Sequence, residues 1–356
     1  DIVGGARLTG KVGRNNVGVL NMQTEEEQRP GLPALPSANF SVVRYGREFL
    51  SNSSAGAFFM DKQRGGISNR LVGSDIRLNL MRQLNIDALV MRSEKTAIGS
   101  GAAWRTGFTY DTALTVYSAN YTSLDSSFRD DLGFIPRQGV DILNASVARR
   151  MRPQATYRFI REYRPELPYA RYTRPNLGVE TETLTPALNL DFADGGSAEL
   201  SYAVNEEALT SPFRIRPQYA IPVGRYRFEN GELSYTGSRA RVIGLNGAYR
   251  FGEFWTGHRK GFTAGARVKF SAKLATTVNF TRDVVTLPGF EFDTNLFSLR
   301  VDGSFSTRMF LNAFIQYNSV SREVVSNVRF NFIHHPLSDL FVVFNETRAT
   351  SGSQIA

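Results

Sequence analysis

Alternation of apolar and polar residues with a period of two recurs along this chain of 356 residues and limits its folds more than any other feature. In the segment 308–317, Leu311, Ala313 and Ile315 fall on one side of an extended chain, and Asn312 falls on the other. Successive side chains of a β-strand point to opposite faces, so this period is typical of a strand with one apolar and one polar face. Helical spacing of apolar residues is scarce. The chain is therefore predicted to be all-β.

The strand-like segments are long and numerous. They run for about 8–12 residues between turn signals such as 194–196 and 288–289, and roughly sixteen to twenty of them are expected. Two architectures use many amphipathic strands. In a water-soluble β-sandwich or propeller the apolar faces pack inward, whereas in a transmembrane β-barrel they meet lipid and the polar faces line a lumen.

Strand length and aromatic placement favour the barrel. A tilted strand needs about 9–11 residues to cross a bilayer, which is longer than the commonest strand length of about 5–6. Aromatic residues such as Tyr117, Tyr121 and Trp255 lie near strand ends, as in the aromatic girdles of outer-membrane barrels. We therefore predict a transmembrane antiparallel up-and-down β-barrel of about 16 strands, with a range of roughly 14–20. No shift in composition marks a domain boundary, so 1–356 is predicted to be a single outer-membrane domain.

The two faces of the predicted strands supply the candidate functional residues. The polar face is interpreted as facing the lumen, and its candidates are Asp75, Arg77, Arg267, Lys269, Arg300, Asp302 and Arg329. The apolar face is interpreted as facing lipid, and its candidates are Leu311, Ala313, Ile315, Val278 and Phe280.

Composition argues against enzymatic chemistry. The chain has no Cys, which excludes a disulfide framework, a thiolate zinc site and a cysteine nucleophile. Three His argue against a His-rich metal centre or a Ser-His-Asp triad, and the adjacent His334 and His335 are expected on opposite faces of a strand. Asp130 and Asp131 fall in a long loop, where we favour a solvated pair over a cation or acid–base site. No catalytic residue, metal or cofactor is predicted.

Basic residues exceed acidic ones, giving a net charge of +9. They are spread along the chain instead of forming one block, so no nucleic-acid partner is expected. The densest cluster comprises Arg149, Arg150, Arg152, Arg158, Arg161, Arg164, Arg171 and Arg174. It contacts either an anion such as a lipopolysaccharide phosphate or nearby glutamates, and we favour the glutamates. Pro165 and Pro168 predict a loop for its second half.

Several short segments, taken in their order along the chain, resemble the sequences of one protein family. They are 3–11 (VGGARLTGK), 17–21 (VGVLN), 40–44 (FSVVR), 55–59 (AGAFF), 132–137 (LGFIPR) and 339–345 (DLFVVFN). These segments resemble domain of unknown function 5916 in bacteria. The resemblance implies the C-terminal barrel of an outer-membrane protein, often carrying an N-terminal sandwich similar to family 9 carbohydrate-binding modules. It implies no catalytic residue.

The function expected from these features is that of a Gram-negative outer-membrane barrel, acting as a solute channel or transporter or as a membrane anchor in a surface complex. The alternative is a secreted β-sandwich protein that binds or acts on carbohydrate. The expected partners are the bilayer with its lipopolysaccharide and other surface or periplasmic proteins. The resemblance adds a glycan, bound by a domain upstream of this sequence.

Closure of the barrel is a further expectation. The chain opens at Asp1 without Met or a signal-peptide pattern and is interpreted as a mature or trimmed product. Backbone groups of an open strand edge in lipid lack partners, so the strand near 6–12 needs a neighbour. That neighbour is either the strand near 340–344 or one encoded upstream, and the resemblance favours the upstream strand.

Overall fold

The computed structural model describes residues 2–28, 30–50, 52–153, 159–335 and 338–350. These residues form 23 strands and no helix, which confirms the all-β prediction. Within the same ranges, no helix is long and apolar enough to cross a membrane. The chain divides into two compact units, Asp1–Ala148 with Pro168–Thr183, and Arg149–Leu167 with Leu184–Ala356. The single domain expected from the sequence stays a prediction.

The first unit is built from antiparallel strands that pair with their neighbours along the chain. Its strands are β1 (Ile2–Val12), β2 (Asn15–Thr24), β3 (Ala38–Phe49), β4 (Ser53–Arg64), β5 (Ile67–Asn79), β6 (Leu84–Lys95), β7 (Gly99–Asp111), β8 (Thr115–Leu124) and all but the last residue of β9 (Val140–Arg149). The second part of β10 (Ile160–Arg174) and nearly all of β11 (Gly178–Leu184) also belong to this unit.

The second unit follows the same plan. It contains the first part of β10, then β12 (Ala187–Phe192), β13 (Ser197–Leu209), β14 (Phe213–Arg216), β15 (Tyr219–Ile221), β16 (Gly224–Thr236), β17 (Ile243–Phe254), β18 (Gly257–Ser271), β19 (Leu274–Leu287), β20 (Phe290–Ser306), β21 (Met309–Asn318), β22 (Glu323–His335) and β23 (Ser338–Ala349). Strands β14 and β15 form a small separate hairpin. This hairpin is one reason why the strands outnumber the sixteen or so expected.

The turns of an antiparallel meander alternate between its two ends, so the strand order shows at which end of each unit the longest connections lie. In the first unit, 25–37 and 125–139 lie at the same end, and short turns such as 13–14 lie at the other. In the second unit, the long connection 210–223 lies opposite the short turns 272–273 and 307–308. This asymmetry is typical of outer-membrane barrels, whose outer loops are long and whose periplasmic turns are short.

Both terminal strands have one assigned neighbour within their unit. Along its length β1 pairs with β2, and β23 pairs with β22. All residues described in these two strands are exposed. The closure of the barrel stays a prediction.

The loop predicted for the second half of the arginine cluster is wrong. The structure places Pro165 and Pro168 inside β10, and Pro165 lies opposite Leu188 of β12. A strand residue directs its N–H toward one neighbouring strand only, so a proline removes one bond of the ladder without ending the strand. The neighbouring Tyr163 still exchanges two backbone hydrogen bonds with Met151.

Candidate functional site

Two adjacent rows of side chains in the second unit show how its sheet separates polar from apolar groups. Across β17 to β21 the strand register aligns Leu245, Ala266, Val278, Leu299 and Ile315. The next row aligns Asn246, Gly265, Asn279, Ser298 and Gln316. Directly paired residues share a face and consecutive residues alternate, so the first row lies on an apolar face and the second on a polar face.

All five lipid-facing candidates lie on this apolar face. Val278 shares its row with Ile315, and Phe280 and Phe297 form the row two residues further along. Leu311 and Ala313 follow in the same alternation of β21. Val278 and Phe280 are each 37% exposed, although both lie inside the sheet. Their contact with lipid remains a prediction.

The lumen-facing candidates of the second unit lie together on the opposite, polar face. Arg267 aligns through Thr277 with Arg300. Lys269 aligns through Ala275 with Asp302, and Asp302 aligns through Asn312 with Arg329. Arg300 and Asp302 form an ion pair of 3.0 Å. The register thus brings five charged residues from three strands, β18, β20 and β22, onto one surface.

Asp75 and Arg77 occupy the corresponding polar face of the first unit. They alternate along β5 with Ile76, which lies on the other face. Asp75 forms an ion pair of 2.8 Å with Arg44 of β3. This face therefore carries both signs of charge.

The long connection 125–139 folds onto the same polar face of the first unit. Phe128 is 1% exposed and packs in a cluster with Phe58, Leu71 and Ala103. Gly101 makes this approach feasible, because a Cβ at that position would overlap the backbone of Phe128, with its Cα only 2.6 Å away. The connection is thus packed against the sheet instead of extending into solvent.

Polar contacts also hold this connection against the sheet at residues 129 and 131. Asp131 accepts a hydrogen bond of 2.8 Å from Lys95 Nζ, and Lys62 Nζ lies 3.7 Å from the same carboxylate. The Asn69 side chain donates to the carbonyl of Arg129 and accepts from the backbone N–H of Asp131. Asp131 is therefore part of an ion-paired anchor instead of a solvated pair.

Asp130 has a separate structural role. Its Oδ1 accepts hydrogen bonds from the backbone N–H groups of Leu132 and Gly133, at 3.0 and 2.9 Å. These bonds close a tight turn of the Asx type. The two carboxylates are thus engaged with different partners, and the prediction of a solvated pair is wrong for Asp131.

The connection 210–223 folds onto the polar face of the second unit through the β14–β15 hairpin. Ile221 is fully buried against Val285 and Leu287 of β19. Arg216 lies over the Phe292 ring at 4.3 Å and donates to Thr294 Oγ1 at 2.7 Å. In β19, Val285 and Leu287 are an even number of positions from Asn279, so all three lie on the same face. The surface that the hairpin covers is therefore the polar face.

A cavity of about 470 Å³ lies on the polar face of the second unit, beside the short β16–β17 turn. Four arginines line it, namely Arg239, Arg241, Arg267 and Arg300, together with one carboxylate, Asp302. Its floor includes Asn246 and Asn279, whose side chains hydrogen bond to each other at 2.9 Å. The cavity is thus polar and rich in guanidinium groups.

Members of the arginine cluster are ion-paired, as the favoured interpretation expects. In the second unit Arg152 meets Glu162 at 2.9 Å. In the first unit Arg174 meets Glu180 at 2.9 Å. Arg158 lies outside the described residues.

The expected separation of the two adjacent histidines is wrong. The rings of His334 and His335 lie 4.2 Å apart, centroid to centroid. A register shift between Ile333 and His335 breaks the alternation there, so consecutive side chains no longer point to opposite faces. Among the described residues, no group of three or more His, Cys, Asp or Glu is arranged to hold a metal ion.

Comparison with solved structures identifies the fold. The siderophore receptor PiuA from Acinetobacter baumannii matches over 96% of this chain and 74% of its own, with a TM-score of 0.53 and 10% sequence identity. The ferric-catecholate import receptor Fiu from E. coli K12 matches over 93% of this chain and 65% of its own, with a TM-score of 0.45 and 7% identity. BauA, the ferric preacinetobactin receptor from Acinetobacter baumannii, matches over 96% and 65%, with a TM-score of 0.45 and 10% identity.

The likeness to PiuA shows that the chain has the fold of an outer-membrane receptor β-barrel, which confirms the predicted fold class. It agrees with the outer-membrane location expected from the sequence and gives no support to the β-sandwich alternative. No family model matches the chain, and no curated protein matches it in sequence. The resemblance to domain of unknown function 5916 stays a prediction.

Several residues of the site were not singled out by the sequence. They are Lys62 and Lys95, which hold Asp131, the hairpin residue Arg216 and the cavity arginine Arg239. Each depends on a connection folding back onto a sheet. Alternation within a strand carries no signal for such contacts.

Proposed function

We propose that this protein is an outer-membrane β-barrel that carries small solutes and prefers anions. The observation that supports this proposal is the pair of adjacent rows in the second unit. One row is apolar, with Leu245, Val278 and Ile315 exposed, and the other is polar. In a bilayer an apolar outer face meets lipid and a polar inner face lines a water-filled or plugged lumen. The neighbouring lipopolysaccharide and other surface or periplasmic proteins are its proposed partners, and no enzymatic step is proposed.

The charge on the polar faces supports the preference for anions. Arg77, Arg267, Lys269 and Arg329 have no carboxylate partner among the ion pairs of the described residues, whereas Arg300 is paired with Asp302. Rings of basic side chains favour anions in pores. The connections 125–139 and 210–223 fold onto the polar faces of their respective units and occupy the space in front of them. Only small solutes are therefore expected to pass.

Reversal potentials in planar bilayers under a salt gradient test the proposal. We expect the potential to have the sign of anion selectivity, and we expect Arg329→Gln to reduce it. Arg308→Gln serves as the control, because it removes the same charge from an exposed turn. Cation selectivity would contradict the proposed preference. A complete lack of conductance would instead favour the second candidate, a membrane anchor in a surface complex.

A further inference from the structure

We propose that the cavity beside the β16–β17 turn is a binding site for a small hydrophilic solute that carries a phosphate or carboxylate group. This inference rests on the proposed function, which it deepens by assigning one solute site. The cavity belongs entirely to the second unit. Its volume of about 470 Å³ is within the range of about 300–1,000 Å³ usual for small-molecule sites.

The arginines that line the cavity differ in whether their side chains have an ion-pair partner. Arg241 is paired with Asp194 at 2.9 Å, and Arg300 is paired with Asp302 at 3.0 Å. Within the described ranges, the side chains of Arg239 and Arg267 have no hydrogen-bond or ion-pair partner. Arg267 is also half-buried, so its charge has lost part of its water without gaining a counter-charge. Binding an anion would supply that counter-charge.

A guanidinium group matches this ligand class in geometry as well as charge. Its planar fork donates two parallel hydrogen bonds to a carboxylate or a phosphate. Arg267 lies in strand β18, and Arg239 lies in the exposed β16–β17 turn. The two unpaired groups therefore approach the cavity from different elements, which is suited to holding one anionic group between them.

The rest of the cavity offers hydrogen bonds to the neutral part of a solute. Asn246, Thr277 and Asn279 line the floor. Gly265 leaves the space that the two asparagines occupy, because a Cβ there would collide with the Asn279 side chain and lie 2.7 Å from Asn246 Nδ2. A floor of amide and hydroxyl groups favours a hydroxylated solute over an apolar one.

The position of the cavity gives the site a place in transport. It adjoins the end of the second unit opposite the long connection 210–223. In outer-membrane barrels the long connections face outward. The site therefore lies at the periplasmic mouth of the proposed pathway, where an anion leaves or enters on that side.

Calorimetric titration of the purified protein with inorganic phosphate tests the site. The titration uses a non-ionic detergent free of phospholipid, which removes lipid phosphate as a source of binding, and chloride keeps the ionic strength constant. We expect saturable binding that Arg267→Gln weakens roughly tenfold, because one charge-assisted contact is lost. Arg239→Gln provides a second test in an exposed turn, where a folding defect is not expected. Arg308→Gln is the charge-matched control outside the cavity and should bind like the unaltered protein.

Equal phosphate affinity in Arg267→Gln, Arg239→Gln and the control would overturn the site. So would a heat signal that chloride alone reproduces. The proposed function is tested separately in bilayers. Saturable, Arg267-dependent binding with cation-selective conductance would support the site and contradict the proposed function. Anion selectivity with phosphate binding that both cavity variants leave unchanged would overturn the site alone.

Discussion

Neighbouring residues of β21 occupy opposite faces of the sheet, and this gives the most direct test of which face meets lipid. Ala313 aligns with Val301 and Val328 on the apolar face. We expect Ala313→Arg to lower the free energy of unfolding by about 2–4 kcal/mol if the position is near the bilayer midplane, because a charge is then placed in hydrocarbon. Denaturant titration of the protein folded in lipid vesicles measures this change.

Asn312 provides the matched control for that substitution. It precedes Ala313 in the same strand and aligns with Asp302 and Arg329 on the polar face. Asn312→Arg should change the free energy of unfolding far less, since its side chain stays among polar groups. If the two variants lose the same stability, the assignment of the faces is wrong.

At the scale of the element, the connection 125–139 depends on one close approach to β7. Gly101→Ala would place a Cβ against the Phe128 backbone, so we expect the connection to lift from the sheet at a cost of about 1–3 kcal/mol. Hydrogen–deuterium exchange should then quicken at the amides of Phe128, Arg129 and Asp131, whose acceptors include Ser93 and Asn69. Exchange in β21 should not change.

Gly18→Ala is the control for this prediction. Gly18 also lies on the polar face of the first unit, opposite Arg44, and a Cβ there would meet nothing within 4 Å. Unchanged exchange at Phe128 in Gly101→Ala would show that the connection tolerates the extra methyl group. The close contact between Gly101 and Phe128 would then not be what holds the connection against the sheet.

The strands were predictable where their signal is local, and the connections were not. Alternation alone separates the apolar from the polar residues of β18 and β21 as the strand register does, because each side chain's direction follows from its neighbours in sequence. The path of β10 was not predictable, since the effect of Pro165 depends on which neighbour its missing N–H would have faced. The anchor at Asp131 joins residues separated by 62 and 36 positions, and no pattern within a strand encodes such contacts.

At the scale of the whole molecule, the exposed apolar face predicts dependence on an amphiphile. Large apolar residues including Trp104, Phe108, Leu245 and Phe262 are each more than 40% exposed although they lie within strands. Exposed apolar patches of this kind are rare on soluble monomers. We expect removal of detergent to aggregate the protein, and addition of lipid vesicles to keep it folded.

Size-exclusion chromatography with and without detergent measures this dependence. The heat-modifiable migration of the vesicle-bound protein on gels gives a second readout of the folded state. A monodisperse, folded protein in buffer without detergent would contradict the membrane assignment. The secreted alternative would then regain support.

The two adjacent rows of the second unit also constrain how such a gene can vary. Removing a single codon from the middle of β18 would turn Arg267 toward the apolar row and Ala266 toward the polar one, because every side chain beyond the deletion changes face. Removing two codons would restore the faces. Length variation within these strands is therefore expected in steps of two residues, whereas exposed turns such as 307–308 are free to change by one.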